Sequence, residues 1–122
     1  MKNFTIERIC QLPIDFKTTN KSIFNLATES KFQDSYQNIT TKDIYNYLSN
    51  HKDLITIWGI WSDDKRTTGY GLSIDNDFGI AYMNAKGETI FEKNFDSAID
   101  ACSEYILREI GSILNIDIQI DG

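Results

Sequence analysis

Residues 54–93 contain four short apolar segments separated by three polar turns, and this alternation limits the folds that the chain can adopt. The apolar segments are 54–61, 68–74, 78–83 and 89–93, and the turns are 62–66, 75–77 and 84–87. Short polar connections of this kind join antiparallel neighbours in a sheet. The pattern therefore predicts a four-stranded antiparallel meander, with Gly87 placed for the positive φ of a hairpin turn.

The first of these segments is apolar on both faces of a strand. Ile55, Ile57 and Trp61 would point to one side, and Leu54 and Trp58 to the other, together with Ile60. This suits a central strand that is covered on both sides, or a strand with one face against a partner.

Helical patterns flank the strands. A short helix is expected over 20–31, and Thr40 followed by Asp43 resembles a capping box that opens a second helix ending near Asn50. Asp96 or Ser97 caps a long helix. Its apolar residues recur at helical spacing along one stripe: Ile99, Cys102, Ile106, Ile110 and Ile113.

The two ends of the chain have simpler patterns. Residues 1–16 form either a short strand or a helical turn stopped by Pro13, the only proline. Gly111 is a candidate for loosening or ending the long helix, and the apolar residues of 114–120 alternate with polar ones, which predicts a last strand.

Residues 1–122 are thus expected to form a single α+β domain, a two-layer fold with a meander sheet of four or more strands packed against helices.

The net charge of -6 is concentrated in the second half of the chain. Residues 1–61 carry a net charge of +1, and residues 62–122 carry -7. An acidic surface repels nucleic acid and anionic membrane and attracts a cationic partner, although it also serves plain solubility. We therefore expect no nucleic-acid or membrane partner.

Nothing in the sequence indicates export or a membrane span. The N-terminal apolar residues are interrupted by Glu7, Arg8 and Gln11, and no apolar run approaches the roughly 20 residues that a span needs. The expected location is cytoplasmic. Cys10 and Cys102 are expected to be small buried hydrophobes, with a long-range disulfide as the alternative.

The sequence offers no strong catalytic or metal motif. His51, the one histidine, falls at the end of a predicted helix, where it caps or packs; a small enzyme or enzyme subunit using His51 is the alternative. The run 75–77 resembles the start of a calcium loop but lacks the glycine and glutamate that complete it. We expect no metal, no cofactor and no enzymatic activity.

Aromatic residues and aspartates near the predicted strands form a candidate binding surface, since tryptophan and tyrosine are common hot spots in interfaces. The candidates are Trp58, Trp61, Asp63, Asp64, Tyr70, Asp75, Asp77 and Tyr82. The alternative for the aromatic residues is core packing. In a meander the 62–66 and 75–77 turns lie at opposite ends, so the aspartates are not expected to form one patch.

The run Ile57-Trp-Gly-Ile-Trp61, the glycine-spaced strands over 69–91 and Phe95-Asp96 before a long helix resemble small immunity proteins of bacterial contact-dependent growth inhibition and polymorphic toxin systems. The resemblance covers residues 54–113 and transfers no catalytic residue. It implies a cytoplasmic, non-enzymatic inhibitor that binds a cognate toxin domain, often a basic nuclease. An acidic inhibitor or adaptor from a phage or mobile element is a further alternative.

Overall fold

The computed structural model describes residues 2–64 and 69–120, which contain seven α-helices, one 3-10 helix and three β-strands. The elements are α1 Lys2–Cys10, α2 Leu12–Thr18, α3 Ile23–Glu29, α4 Phe32–Ser35, the 3-10 turn Tyr36–Asn38, α5 Thr41–Ser49, α6 Asp53–Asp64, β1 Gly69–Ser73, β2 Gly79–Met83, β3 Thr89–Asn94 and α7 Ala98–Leu114. The α+β class is confirmed. Lys65, Arg66 and Thr68 lie outside the described residues.

The strands form an antiparallel sheet in the order β1-β2-β3. Tyr70 pairs with Tyr82, which pairs with Phe91, so one row of aromatic side chains crosses the sheet. Gly87 has φ of +82° in the turn between β2 and β3, as expected. Three segments of the predicted meander are therefore confirmed as strands.

The fourth predicted strand, 54–61, is wrong: these residues belong to α6. A short run that is apolar on all sides fits a buried helix as well as a buried strand. In the helix, Leu54 and Trp58 lie one turn apart and are both buried. The sheet therefore has three strands among the described residues, and not four or more.

Helix α6 covers the free edge of β1. The backbone N–H of Leu72 donates a hydrogen bond of 2.8 Å to Oγ of Ser62. One turn earlier, a Cβ added to Gly59 would lie 2.7 Å from Cδ1 of Ile74, so the missing side chain allows the close approach. An edge strand with unpaired N–H groups is thus closed by a helix.

Helix α7 is the central element of the core. It contacts β1 and β2 of the sheet and also α3, α5 and α6. Its residues from Ala101 to Gly111 are buried, except for the partly exposed Arg108. A helix that is buried all round lies inside a fold, and α7 is therefore enclosed between sheet and helices instead of covering one sheet face as an outer layer.

The N-terminal residues form two helices. Pro13 stands in the first turn of α2, where its missing N–H costs nothing, so it helps to begin a helix instead of stopping one. The helix predicted over 20–31 is α3, capped by Ser22, whose side chain accepts from the N–H of Asn25 at 3.1 Å.

The predicted capping box at α5 is confirmed, because Thr40 and Asp43 bond each other's backbone reciprocally. Burial alone would raise the pKa of Asp43. The backbone N–H of Thr40 and the ammonium of Lys2 outweigh this effect and hold the pKa below its ordinary value of 3.8. The carboxylate of Asp43 lies 3.2 Å from Nζ of Lys2.

Replacing Asp43 with asparagine is expected to lower the free energy of unfolding at pH 7 by about 0.3–1 kcal/mol, because asparagine keeps an acceptor for the N–H of Thr40 but removes the negative charge from the first turn of the helix. A lowered folded pKa stabilises the fold above pH 3.8, and this stabilisation is lost as pH falls through the folded pKa. Urea unfolding at pH 7 and near pH 2 should therefore show a difference that disappears in acid; an equal difference at both pH values would exclude a role for the charge.

The long helix does not end at Gly111 but continues to Leu114. Asn115 has φ of 57°, the backbone N–H of Ile116 donates to the carbonyl of Gly111 at 2.8 Å, and that of Asn115 donates to Ser112 at 3.2 Å. This is a Schellman motif, which reverses the chain. Residues 116–120 then lie back near Gly111 and form neither a helix nor a strand, so the predicted last strand is wrong.

Gly111 makes this reversal possible. A Cβ added there would overlap Cγ1 of Ile118 and lie 3.1 Å from the carbonyl oxygen of Ile116. Gly111→Ala is expected to lower the free energy of unfolding by about 1–3 kcal/mol, the range for overpacking. Chemical denaturation measures this, with Gly87→Ala as a control that strains a turn but meets no neighbouring atom within 4 Å. A stabilising Gly111→Ala would show that helix propensity outweighs the clash.

The cysteines are both free and fully buried, which confirms that they act as small core residues. Burial raises the pKa of the Cys102 thiol to about 12 and shifts the pKa of Cys10 in the same direction, so both thiols are neutral and unreactive. Over the ranges that the structure describes, no helix is long and apolar enough to cross a membrane.

Candidate functional site

The C-terminal half of α6 forms an exposed ridge between two grooves. Its most prominent side chain is Ile60, which is 47% exposed and lines both grooves. Residues three and four positions apart share a helix face, so Gly59 and Asp63 face one groove and Trp61 and Asp64 face the other. The ridge and its two grooves are called the α6 surface below.

The groove on one side of Ile60 is mainly apolar and has a volume of about 500 Å³. Its walls come from α2, α3, α6 and α7. The apolar side chains that line it are Pro13, Phe16, Ile23, Ile60, Trp61 and Ile113. Lys17 and Asp64 also line it, and Phe16 is 40% exposed. Its exposed apolar side chains make this groove a candidate interaction site.

Trp61 is held in one orientation within this groove. Its ring lies edge-on to Phe16, with the ring centroids 5.7 Å apart. On the core side it meets Trp58 at 5.9 Å, and its indole Nε1 donates a hydrogen bond of 3.1 Å to Oε2 of the buried Glu109. Because its neighbours fix the ring, little side-chain entropy remains to be lost when a partner binds.

The groove on the other side of Ile60 is acidic and has a volume of about 320 Å³. Asp63 from α6 lines it together with Asp75 and Asp77 from the turn between β1 and β2. The expectation that these aspartates lie at opposite ends of a sheet is therefore wrong. As a helix packed along β1, the segment 53–64 carries Asp63 alongside the 75–77 turn.

The carboxylates of the α6 surface differ in their pairing from several other acidic residues in the described part of the chain. Across 2–64 and 69–120, none of Asp63, Asp64, Asp75 and Asp77 forms a salt bridge, whereas Asp15, Asp43 and Glu104 all do. In the same ranges no group of three acidic, histidine or cysteine side chains is arranged to hold a metal ion. The groove thus offers a negative surface, which favours a cationic group of a partner.

Asp63 and Asp64 also stand at an unfavourable place for the helix itself. They occupy the last turn of α6, which contains no basic residue. The C-terminal end of a helix carries partial negative charge and prefers cations. Residues whose charge destabilises the helix in which they lie are typical of a functional surface.

Three of the candidate aromatic residues lie elsewhere. Trp58 is fully buried, and its Nε1 donates a hydrogen bond of 2.9 Å to the carbonyl of Cys10, so a surface partner cannot reach it in this fold. Tyr70 and Tyr82 are half-buried on the sheet face toward α7, 4.7 Å apart between ring centroids. Core packing is what the structure shows for Trp58, whereas Tyr70 and Tyr82 stay partly exposed and line a small groove together with Arg108.

A charged cluster joins that sheet face to α7. The guanidinium of Arg108 lies 4.6 Å from the ring centroid of Phe91, and its Nε donates to Oε2 of Glu104 at 2.8 Å. Lys93 donates to the other oxygen of Glu104 at 2.7 Å. Burial alone would lower the pKa of Arg108, but the hydrogen bond to Glu104 outweighs this effect and holds the pKa above its ordinary value. The charged groups of this cluster are therefore paired with one another, and their contacts hold the sheet against α7.

Sequence reasoning missed Phe16 and the exposed position of Ile60. Both are apolar side chains at positions where a helix faces outward, and only the helical assignment of α6 shows that Ile60 is on the surface. The spacing of Phe16 four residues after the buried Leu12 gives no signal for its exposure, because such residues share a helix face.

His51 takes the structural role that its position predicted. Its Nδ1 lies 2.8 Å from the carbonyl oxygen of Tyr47 in the last turn of α5, which accepts a hydrogen bond from the ring. The imidazole also stacks on the ring of Tyr47 at 4.0 Å. Both contacts belong to the end of the helix.

Comparisons with protein-family models, with curated proteins and with solved structures find no match for this chain. The α6 surface therefore has to be interpreted from its own geometry and charge.

Proposed function

We propose that this protein is a small inhibitor of the immunity-protein type, which binds a basic toxin domain through the α6 surface and covers that domain's active site or substrate surface. The observation that carries the proposal is the set of carboxylates around an exposed apolar residue, Ile60; none of these carboxylates forms a salt bridge with another described residue. An apolar anchor beside a charged, accessible rim is the usual anatomy of a protein interface.

The charge distribution favours a nuclease as the toxin. A nuclease needs a basic surface to hold the phosphate backbone, and an acidic inhibitor is complementary to that surface. The half of the chain with net charge -7 contains all four aspartates of the α6 surface. Such a protein works in the cytoplasm, where the toxin meets its substrate, and needs no catalytic residue or cofactor of its own.

Co-expression tests the proposal. The toxin domain encoded by the gene immediately upstream is produced in a host cell with and without this protein. Growth is expected to be restored by the wild-type chain, and the two proteins are expected to purify as a complex that weakens as salt increases. Continued toxicity, together with no complex at low salt, would contradict the proposal.

A further inference from the structure

Two large apolar side chains stay exposed at the mouth of the apolar groove of the α6 surface. Phe16 and Ile60 are 40% and 47% exposed at its mouth, although each could bury more surface against a neighbour. Trp61 is already fixed by Phe16, Trp58 and Glu109, so the groove is formed before anything binds. Preformed apolar grooves of this volume accept a side chain with little rearrangement.

Charge decides what kind of segment fits. Ile60 separates the two grooves: the lining of the apolar groove includes one charge of each sign, Lys17 and Asp64, whereas the other groove is lined by Asp63, Asp75 and Asp77. A purely apolar segment would leave the carboxylates without partners, and a purely basic segment would leave the apolar groove empty. The surface is complementary to a segment that carries both features.

We propose that the groove receives one large apolar side chain of a basic partner segment, whose neighbouring lysines or arginines reach Asp63, Asp64, Asp75 and Asp77 across Ile60. This inference rests on the proposed function and specifies how the partner is recognised. The apolar anchor gives affinity, because it removes nonpolar surface from water, and the flanking cations give orientation and association rate.

Synthetic peptides test this recognition without knowledge of the natural partner. One short peptide has a central leucine flanked by lysines, and a second has serine in place of the leucine. Binding to the intact protein is followed by NMR, through the backbone amides and the Trp61 indole N–H. The leucine peptide is expected to bind about tenfold more tightly and to shift the Trp61 indole signal, because only it fills the groove.

Two variants of the protein provide the matched comparison. Ile60→Arg places a charge at the mouth of the groove, and Ile90→Arg makes the same change at a residue that is 62% exposed on β3. The tenfold preference for leucine is expected to disappear in Ile60→Arg and to persist in Ile90→Arg. Both positions are exposed, so neither variant is expected to unfold the protein.

The outcomes separate the two proposals. If both peptides bind equally and salt weakens both, the acidic surface still binds cations, but the groove has no anchor and this inference is overturned. If the leucine peptide shifts signals elsewhere, or if the protein fills the groove by dimerising, the inference is also overturned. If neither peptide binds at low salt, both the inference and the basic-partner proposal lose their support.

Discussion

Replacing Trp58 with alanine is expected to lower the free energy of unfolding by about 3–5 kcal/mol, the range for removing a buried tryptophan. Its side chain is fully buried and meets the ring of Tyr105 at a centroid distance of 5.9 Å. The substitution also leaves the buried carbonyl of Cys10 without its donor. Guanidinium unfolding followed by circular dichroism measures the effect.

Ile60→Ala is the matched control, because a strand and a helix place Ile60 differently. In a strand, Trp58 and Ile60 share a face and both substitutions would be costly. In helix α6, Trp58 is buried while Ile60 is 47% exposed, so Ile60→Ala is expected to cost less than about 1 kcal/mol. A large cost at both positions would contradict the helical assignment of 53–64.

Reversing the charge at the end of α6 is expected to have the largest effect on binding. The double substitution Asp63→Lys with Asp64→Lys should slow association with the basic toxin domain by about tenfold to a hundredfold at low ionic strength, since steering depends on the local field. The same variant should be at least as stable as the wild type, because it places cations at a helix C-terminus. Stopped-flow association and thermal unfolding measure the two effects.

The control for this variant is Glu88→Lys with Glu92→Lys, which makes the same change in net charge at exposed positions in and beside β3. Its association is expected to slow much less, because these carboxylates lie away from the α6 surface. Equal slowing by both double variants would mean that net charge alone matters, and the α6 surface would then lose its assigned role.

Local signals in the sequence were sufficient for part of the fold. The capping box of Thr40 and Asp43, the Ser97 cap and the turn at Gly87 each depend on side chains within a few residues, and the structure has all three. The pairing of 69–73, 79–83 and 89–94 follows from the short turns between them.

The remaining differences come from contacts between distant residues. The segment 54–61 is apolar on every side, so its periodicity cannot distinguish a strand from a buried helix. The alternation over 114–120 resembles a strand, but the turn at Asn115 directs this segment back over Gly111, and α6 already covers the free edge of β1.

The candidate site shows the same dependence on α6. Once 53–64 is a helix, Trp58 enters the core, Ile60 becomes exposed and Asp63 reaches the groove of Asp75 and Asp77. The residue types that suggested a protein-binding surface were visible in the sequence. Their grouping was not, because it depends on the direction in which one helix crosses the edge of the sheet.

Hydrogen–deuterium exchange of the protein with and without the toxin domain tests the central claim most directly. Binding at the α6 surface predicts slower exchange in 59–64 and 72–77, with β3 unchanged. Slower exchange confined to β3 or to α5, with 59–64 unaffected, would contradict the claim that the end of α6 is the binding surface.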